Sequence, residues 1–213
     1  MVTRLELVAE KLDGELALRR RELSDINLSA QSSAGNKAAT LRRAGHVMAY
    51  AHWEGFIKLA LTSYVAEVCR QQRAIGELRD GLRAAMLSTR INVSAAENPF
   101  TLAIEIVESV RGHATEKFTL TPETLLKTGN LTSKKFRGML SICSLDYLDY
   151  YATKENFIDE VLCGRRHRIA HGGPQPISAD DLPKTIKRVL SLCQMVNDQV
   201  IEALLYEHYL ASS

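Results

Sequence analysis

The sequence predicts an all-α protein, on three observations. Apolar residues recur at spacings of three and four along almost all of its 213 residues, no stretch alternates cleanly, and only five prolines interrupt the pattern. The 46% hydrophobic and 24% charged content is that of a chain with a real core and excludes a disordered one. At roughly 150 residues per domain, a single helical domain over 1–213 is predicted, with 1–30 as an N-terminal helix extension and 36–210 as the core.

The first helix is read from Arg4 to Ile26 on Leu5, Val8, Leu12, Leu16, Leu18 and Leu23, with the Arg19-Arg20-Arg21-Glu22 cluster on its solvated side. Ser29 to Asn36 reads as a polar loop, with Asn36 a possible N-cap. A long central helix follows, Lys37 to Gln71. One stripe holds Tyr50, Trp53, Ile57, Leu61, Tyr64, Val65 and Val68, a second Ala44, Val47, Met48, Ala51 and Leu59, so packing on two sides is predicted. A third helical segment covers Ile75 to Leu87, the stretch from Arg90 to Pro99 is a loop, and Pro99 opens a helix carrying Leu102, Ile106 and Val110. After Pro122 come a short helix, a Gly129-Asn130 turn and a helix from Thr132 to Ile142. Another runs from Asn156 to Arg166, and Gly172-Gly173-Pro174-Gln175-Pro176 terminates what precedes it. A long C-terminal helix starts in a Ser178/Asp181 capping box and runs to about Tyr209. Its near-heptad stripe, Leu182, Ile186, Val189, Cys193, Val196, Val200 and Leu204, suits either an intrachain core or a dimer seam.

Composition narrows the function classes. A net charge of +2 does not point to a duplex-coating protein. Cys69, Cys143, Cys163 and Cys193 are scattered without a C-x-x-C pair, which predicts reduced core thiols and excludes zinc fingers and disulfide scaffolds. Charges every few residues from Met1 to Lys11 leave no signal-peptide apolar region, and no run reaches the ~20 apolar residues of a membrane span. A cytoplasmic protein without a membrane partner is expected.

One stretch departs from ordinary helix composition: Cys163-Gly164-Arg165-Arg166-His167-Arg168-Ile169-Ala170-His171-Gly172-Gly173. Arginine offers a permanent charge in a planar fork that fits phosphate oxygens, and histidine exchanges a proton near neutral pH. Together they could cleave a phosphodiester with no cofactor. In a blander reading, the arginines reach into solvent and His171 merely completes its helix end. As a metal site, His167 and His171 lie four apart with Glu160 seven residues before His167, but the zincin glutamate is missing and three guanidinium groups would repel a divalent ion. No metal is expected. The remaining reading pairs Arg166 with His171 as R-x-x-x-x-H, with the polar His167 directly after the arginine.

The string Arg166-His167-Arg168-Ile169-Ala170-His171-Gly172 resembles the R-N-x-x-A-H-G signature of the HEPN superfamily (higher eukaryotes and prokaryotes nucleotide-binding). The approach to it, Asn130-Leu131-Thr132, Leu140 and Phe157-Ile158-Asp159-x-x-Leu162, is similar too. Ala49-Tyr50-Ala51-His52-Trp53-Glu54-Gly55-Phe56-Ile57-Lys58 resembles the central helix of the MAE-like prokaryotic branch, so the likeness spans Leu41 to Leu205 in order. It implies an all-α bundle that forms a homodimer with two R-x-x-x-x-H motifs in one cleft, metal-independent endoribonuclease activity, and a place in toxin-antitoxin or antiviral defence systems, with RNA and an antitoxin or other defence protein as partners. His167 stands where the family more often has asparagine. Gly173 stands where HEPN toxins silenced by adenylylation have tyrosine, so that mode of silencing is not implied.

Carried over by motif, His171 acts as general base or acid on the ribose 2′-hydroxyl or the leaving 5′ oxygen, and Arg166 binds the scissile phosphate, with Arg165 its rival. His167 positions the reactants, and Arg165 and Arg168 contact the RNA backbone. Glu54 lies in the apolar central helix, where an unpaired carboxylate is costly; it either orients Arg166 or pairs with Lys58 four residues on. Five residues on an ideal helix set Arg166 and His171 roughly 140° apart, so a two-fold dimer is expected to complete the site. A second function class, a non-catalytic HEPN dimerisation and nucleotide- or partner-binding module, fits the modest charge.

Overall fold

A computed structural model describes residues 3–88, 98–121 and 129–211, with no side-chain placement for Pro99. The helices are α1 (Arg4–Gln31), α2 (Gly35–Arg70), α3 (Asp80–Ser88), α4 (Pro99–Gly112), α5 (Ser133–Ile142), α6 (Asp149–Ala152), α7 (Arg165–Ala170) and α8 (Asp181–Leu205). A 3-10 turn, Ile75–Glu77, precedes α3, and a π-helical segment, Phe157–Gly164, runs straight into α7. The chain is all-α: among the described residues there is no strand, only two isolated bridges, Ala74 to Lys117 and Leu78 to Leu210. Among them, too, no helix is long and apolar enough to cross a membrane.

The residues group into two compact units. The first comprises Met1–Ala60, Thr128–Phe136 and Leu148–Ile201. Its core joins Leu12, Leu16 and Leu23 of α1 to one face of α2 and of α8, with Trp53 wholly buried. Aromatic rings extend it edge to face, Trp53 to Phe136 and Phe136 to Tyr151, each with centroids 5.0 Å apart. The second comprises Leu61–Lys127, Arg137–Tyr147 and Glu202–Ser213, with Tyr64, Phe118 and Tyr209 buried. There Gly81 meets the α5 end so closely that a Cβ would stand 2.0 Å from the Ser141 carbonyl oxygen, and the Leu82 amide bonds the Ser144 hydroxyl at 3.0 Å. Every residue of the candidate site lies in the first unit.

Several sequence expectations are corrected. The loop predicted over 29–36 shrinks to three residues, since α1 runs to Gln31 and α2 starts at Gly35, whose φ of +56° suits glycine. Arg19 leaves the solvated cluster to pair with Glu15 and lie 5.4 Å over the Phe56 ring. The first α2 stripe is buried throughout, but Ala44 and Ala51 of the second are exposed; one broad face, including Ala49, Phe56 and Ala60, is buried instead. On α4, Ile106 and Val110 are exposed and, with Leu102, line a groove of about 420 Å³ against α3. The stripe of α8 from Leu182 to Val200 is intrachain core, which leaves it no role as a dimer seam. The loop read over 90–99 and the short helix after Pro122 fall largely outside the described residues.

Candidate functional site

The sequence predicts an ordinary helix leading into the motif, and the structure departs from it. Phe157, Ile158, Leu162 and Cys163 are its buried residues, and they pair at a spacing of five, 157 with 162 and 158 with 163. In an α-helix such partners would diverge by about 140°; i→i+5 bonding brings each pair onto one face. The π register is how this sequence buries four apolar side chains at once. It also sets the rotation at which α7 begins, and so where Arg165 and Arg166 point.

Arg166 points inward. Its guanidinium lies 4.0 Å over the Tyr50 ring and donates one hydrogen bond to the Asn130 side-chain oxygen at 3.2 Å, while its Nε is buried without a partner among the described residues. The platform beneath it is firmly held. The Tyr50 hydroxyl accepts the Leu131 amide at 2.7 Å and is hydrogen-bonded to the Glu54 carboxylate, and burial, reinforced by Glu54, pushes its pKa up to about 12. The Leu131 carbonyl in turn accepts the Trp53 indole at 3.3 Å and the Cys163 thiol at 3.3 Å. Asn130, adjacent, sits at φ +55°, a left-handed position that asparagine tolerates better than most residues. Asp159 of the π segment anchors the same loop through the Ser133 amide at 2.7 Å and hydroxyl at 2.5 Å. One face of α2 and the π segment thus grip a turn whose asparagine holds the arginine.

His171 stands at the opposite extreme, exposed at the end of α7. The helix closes in a Schellman arrangement: the Gly172 amide bonds the Ile169 carbonyl at 3.1 Å, Gly173 bonds Arg168 at 2.8 Å, and Gly172 adopts φ +76°. A Cβ on Gly173 would approach the Arg168 oxygen to 2.9 Å. The glycine pair therefore fixes the exit of the chain from His171, and Arg42 and Arg43 of α2 pin that exit by bonding the carbonyls of Ile177 at 2.7 Å and Gly173 at 3.3 Å. His167 is also exposed, and its ring lies 4.4 Å from that of His171, tilted by 57°. The structure thus brings the two histidines together. No hydrogen bond or ring contact joins either to Arg166 among the described residues.

The other singled-out residues are differently placed. Arg165 is half-buried and bonds Asp181 at 3.2 Å, whereas the exposed Arg168 bonds Gln175 at 2.6 Å. Glu54 pairs directly with Lys58 at 2.7 Å. Burial works to raise its pKa, but the hydrogen bonds from Lys58 and Tyr50 and the charges of Lys58 and Arg166 outweigh it and hold the carboxyl below its ordinary range. Arg166 therefore acts on Glu54 through space, with Tyr50 between them. Glu160 joins no metal-binding group: no cluster of three or more His, Cys, Asp or Glu among the described residues could hold an ion. All four cysteines are free, Cys69 only half-buried, and burial raises the Cys143, Cys163 and Cys193 thiols to about 12.

The sequence assigns no site role to Tyr50 or Asn130, and it reads His46 as a surface or helix-packing residue. Tyr50 carried a signal, three residues before Trp53 and four before Glu54 on one helical face, and Asn130 another, as the residue after Gly129 in a turn. His46 carried none. It is wholly buried on α2, its ring facing the Val161 and Leu162 carbonyls of the π segment without a well-formed hydrogen bond, and burial holds its pKa below the ordinary 6.5. The family described as MAE_28990-like HEPN matches residues 8–209, nearly the whole chain. No curated protein and no solved structure matches it.

Proposed function

Because the chain belongs to the MAE_28990-like HEPN family, we propose that it is a metal-independent endoribonuclease acting as a toxin or antiviral-defence effector. The observation that carries this reading is the division of labour within the motif. Arg166 is buried far enough to be held rigidly on Tyr50 and Asn130, with its Nε left without a partner among the described residues, and His171 is presented to solvent. In the reaction, His171 takes the proton of the ribose 2′-hydroxyl and the 2′ oxygen attacks the adjacent phosphorus. The bond from phosphorus to the 5′ oxygen breaks, and the departing oxygen takes up a proton. Arg166 neutralises the charge that grows on the phosphate oxygens, which its preorganised fork does without rearrangement. His167, against the His171 ring, orients it. Arg165 and Arg168, beside the motif, contact the RNA backbone.

The charge of three adjacent arginines supports chemistry without a divalent ion. The two side chains point to different surroundings within one chain, which supports a homodimer that sets Arg166 of one copy against His171 of the other. The test is incubation of the purified chain with total RNA in excess chelator, against His171→Ala. Products ending in 2′,3′-cyclic phosphate and 5′-hydroxyl, absent with the variant and absent on DNA, are expected. Cleavage lost on chelation and restored by Mg²⁺ or Mn²⁺ sinks the mechanism. No cleavage by a well-folded dimer favours a non-catalytic binding module.

A further inference from the structure

A groove of about 480 Å³ lies between α1 and α8, lined by Arg20, Leu23, Ser24 and Asn27 on one wall and by residues from Pro183 to Gln194 on the other. No carboxylate lines it. Arg20 and Lys187 stand on opposite walls, both exposed, and neither makes an ion pair or hydrogen bond among the described residues. Arg19, next to Arg20 on α1, is by contrast engaged by Glu15. In a chain whose net charge is only +2, two cations left without counter-charge along one groove create a local field for an anion.

The lining also says which kind of anion. Of its apolar members, Leu23 is at 0% and Ile186 at 8% exposure while Pro183 and Leu190 are half-buried, so an apolar anchor from a protein partner would find only a small area to bury. Arg20, Ser24, Lys187 and Ser191 are exposed, a set of cations and hydroxyls that suits phosphate and ribose oxygens. The groove also begins beside the candidate site. Pro183 is two residues from Asp181, which holds Arg165, and Lys187 lies about 9 Å along the α8 axis from Asp181. We propose that this groove binds the backbone of a single RNA strand whose scissile phosphate sits at Arg166 and His171; the inference rests on the ribonuclease reading.

The test uses the full chain and a fluorescent 2′-O-methyl oligoribonucleotide of about 20 nucleotides, which lacks the attacking hydroxyl and is bound without being cut. Affinity is measured across a salt series for the parent, for Arg20→Gln combined with Lys187→Gln, and for Arg20→Lys, with thermal unfolding as a check on fold. Each phosphate contact on a single strand contributes about 0.7 to the slope of log affinity against log salt. The double variant should therefore flatten the slope by about 1.4 and bind roughly 20-fold more weakly at about 0.1 M salt, while Arg20→Lys keeps the parent slope. On cleavable RNA the double variant should raise KM and leave kcat unchanged. If the parent binds and cleaves RNA but the double variant keeps its slope and affinity, the groove proposal falls, the ribonuclease reading stands, and an acidic protein surface becomes the groove's occupant. If the parent neither binds nor cleaves RNA, both fall.

Discussion

Tyr50→Phe removes one oxygen and leaves the ring that carries Arg166. That oxygen accepts the Leu131 amide at 2.7 Å, and Leu131 is fully buried, so in the variant its N–H finds neither a partner nor water. A buried donor left unmade costs ~1–3 kcal/mol. In a protein of this size each kcal/mol moves Tm by ~2–4 °C, so a loss of about 2–12 °C is expected. Catalysis should be less affected, because the guanidinium keeps its seat 4.0 Å over the ring and its bond to Asn130. Tyr50→Leu removes the ring as well. At a half-buried site the cation–π contact contributes about 1 kcal/mol, and an arginine free to leave its seat binds the transition state less well than the ground state. A further fall in kcat of about fivefold, with a smaller change in KM, is expected. Thermal unfolding followed by circular dichroism, paired with single-turnover cleavage of RNA in chelator, reads both effects. A Tyr50→Phe protein as stable as the parent would refute the role of the hydroxyl, and a Tyr50→Leu protein that cleaves as fast as Tyr50→Phe would refute the role of the ring.

Trp53→Ala and His171→Ala should separate stability from activity. The first empties a wholly buried site and orphans an indole contact to Leu131, for a loss of ~3–5 kcal/mol by denaturant unfolding, whereas the second leaves Tm within a degree or two and abolishes cleavage. If His171→Ala unfolds the chain, His171 is structural. Inactive Arg166→Ala and His171→Ala chains, mixed under exchange conditions, should regain measurable cleavage through heterodimers holding one intact Arg166 and one intact His171 in a shared cleft; a well-exchanged mixture that stays dead rules the shared cleft out. Stability should depend on pH through His46, whose imidazole is held below 6.5 by burial and by the charge of Arg165, against the carbonyls of Leu162 and Val161 and the Asp181 carboxylate. The unfolded chain takes up this proton more readily than the folded one, so the contribution is complete above pH 6.5 and is lost as pH falls through the folded value. Unfolding free energies from pH 8 to 5 should decline less steeply in His46→Leu, and an unchanged slope would remove His46 from the account.

Helical class, the long α2 and α8, the Ser178/Asp181 cap and the glycine stop after His171 were legible from the chain alone, because each is a local matter of periodicity, capping oxygen or backbone freedom. The cap is formed by the Asp181 amide on the Ser178 hydroxyl at 3.1 Å, where the sequence placed it. The motif residues were legible for a different reason, as an unusual density of arginine and histidine beside that stop. What the chain could not announce is which of these side chains turns inward. That is decided by the π register of Phe157–Gly164, a solution that pays for irregular hydrogen bonding with the burial of four apolar side chains, and a burial gain depends on partners distant in sequence. Only the folded unit brings Tyr50, Asn130 and Arg166 together across 116 positions of chain, diverts Arg165 to Asp181 and commits Glu54 to Lys58. Periodicity identifies a residue's face on its own helix, but the partner that face meets is set by the packing of the others.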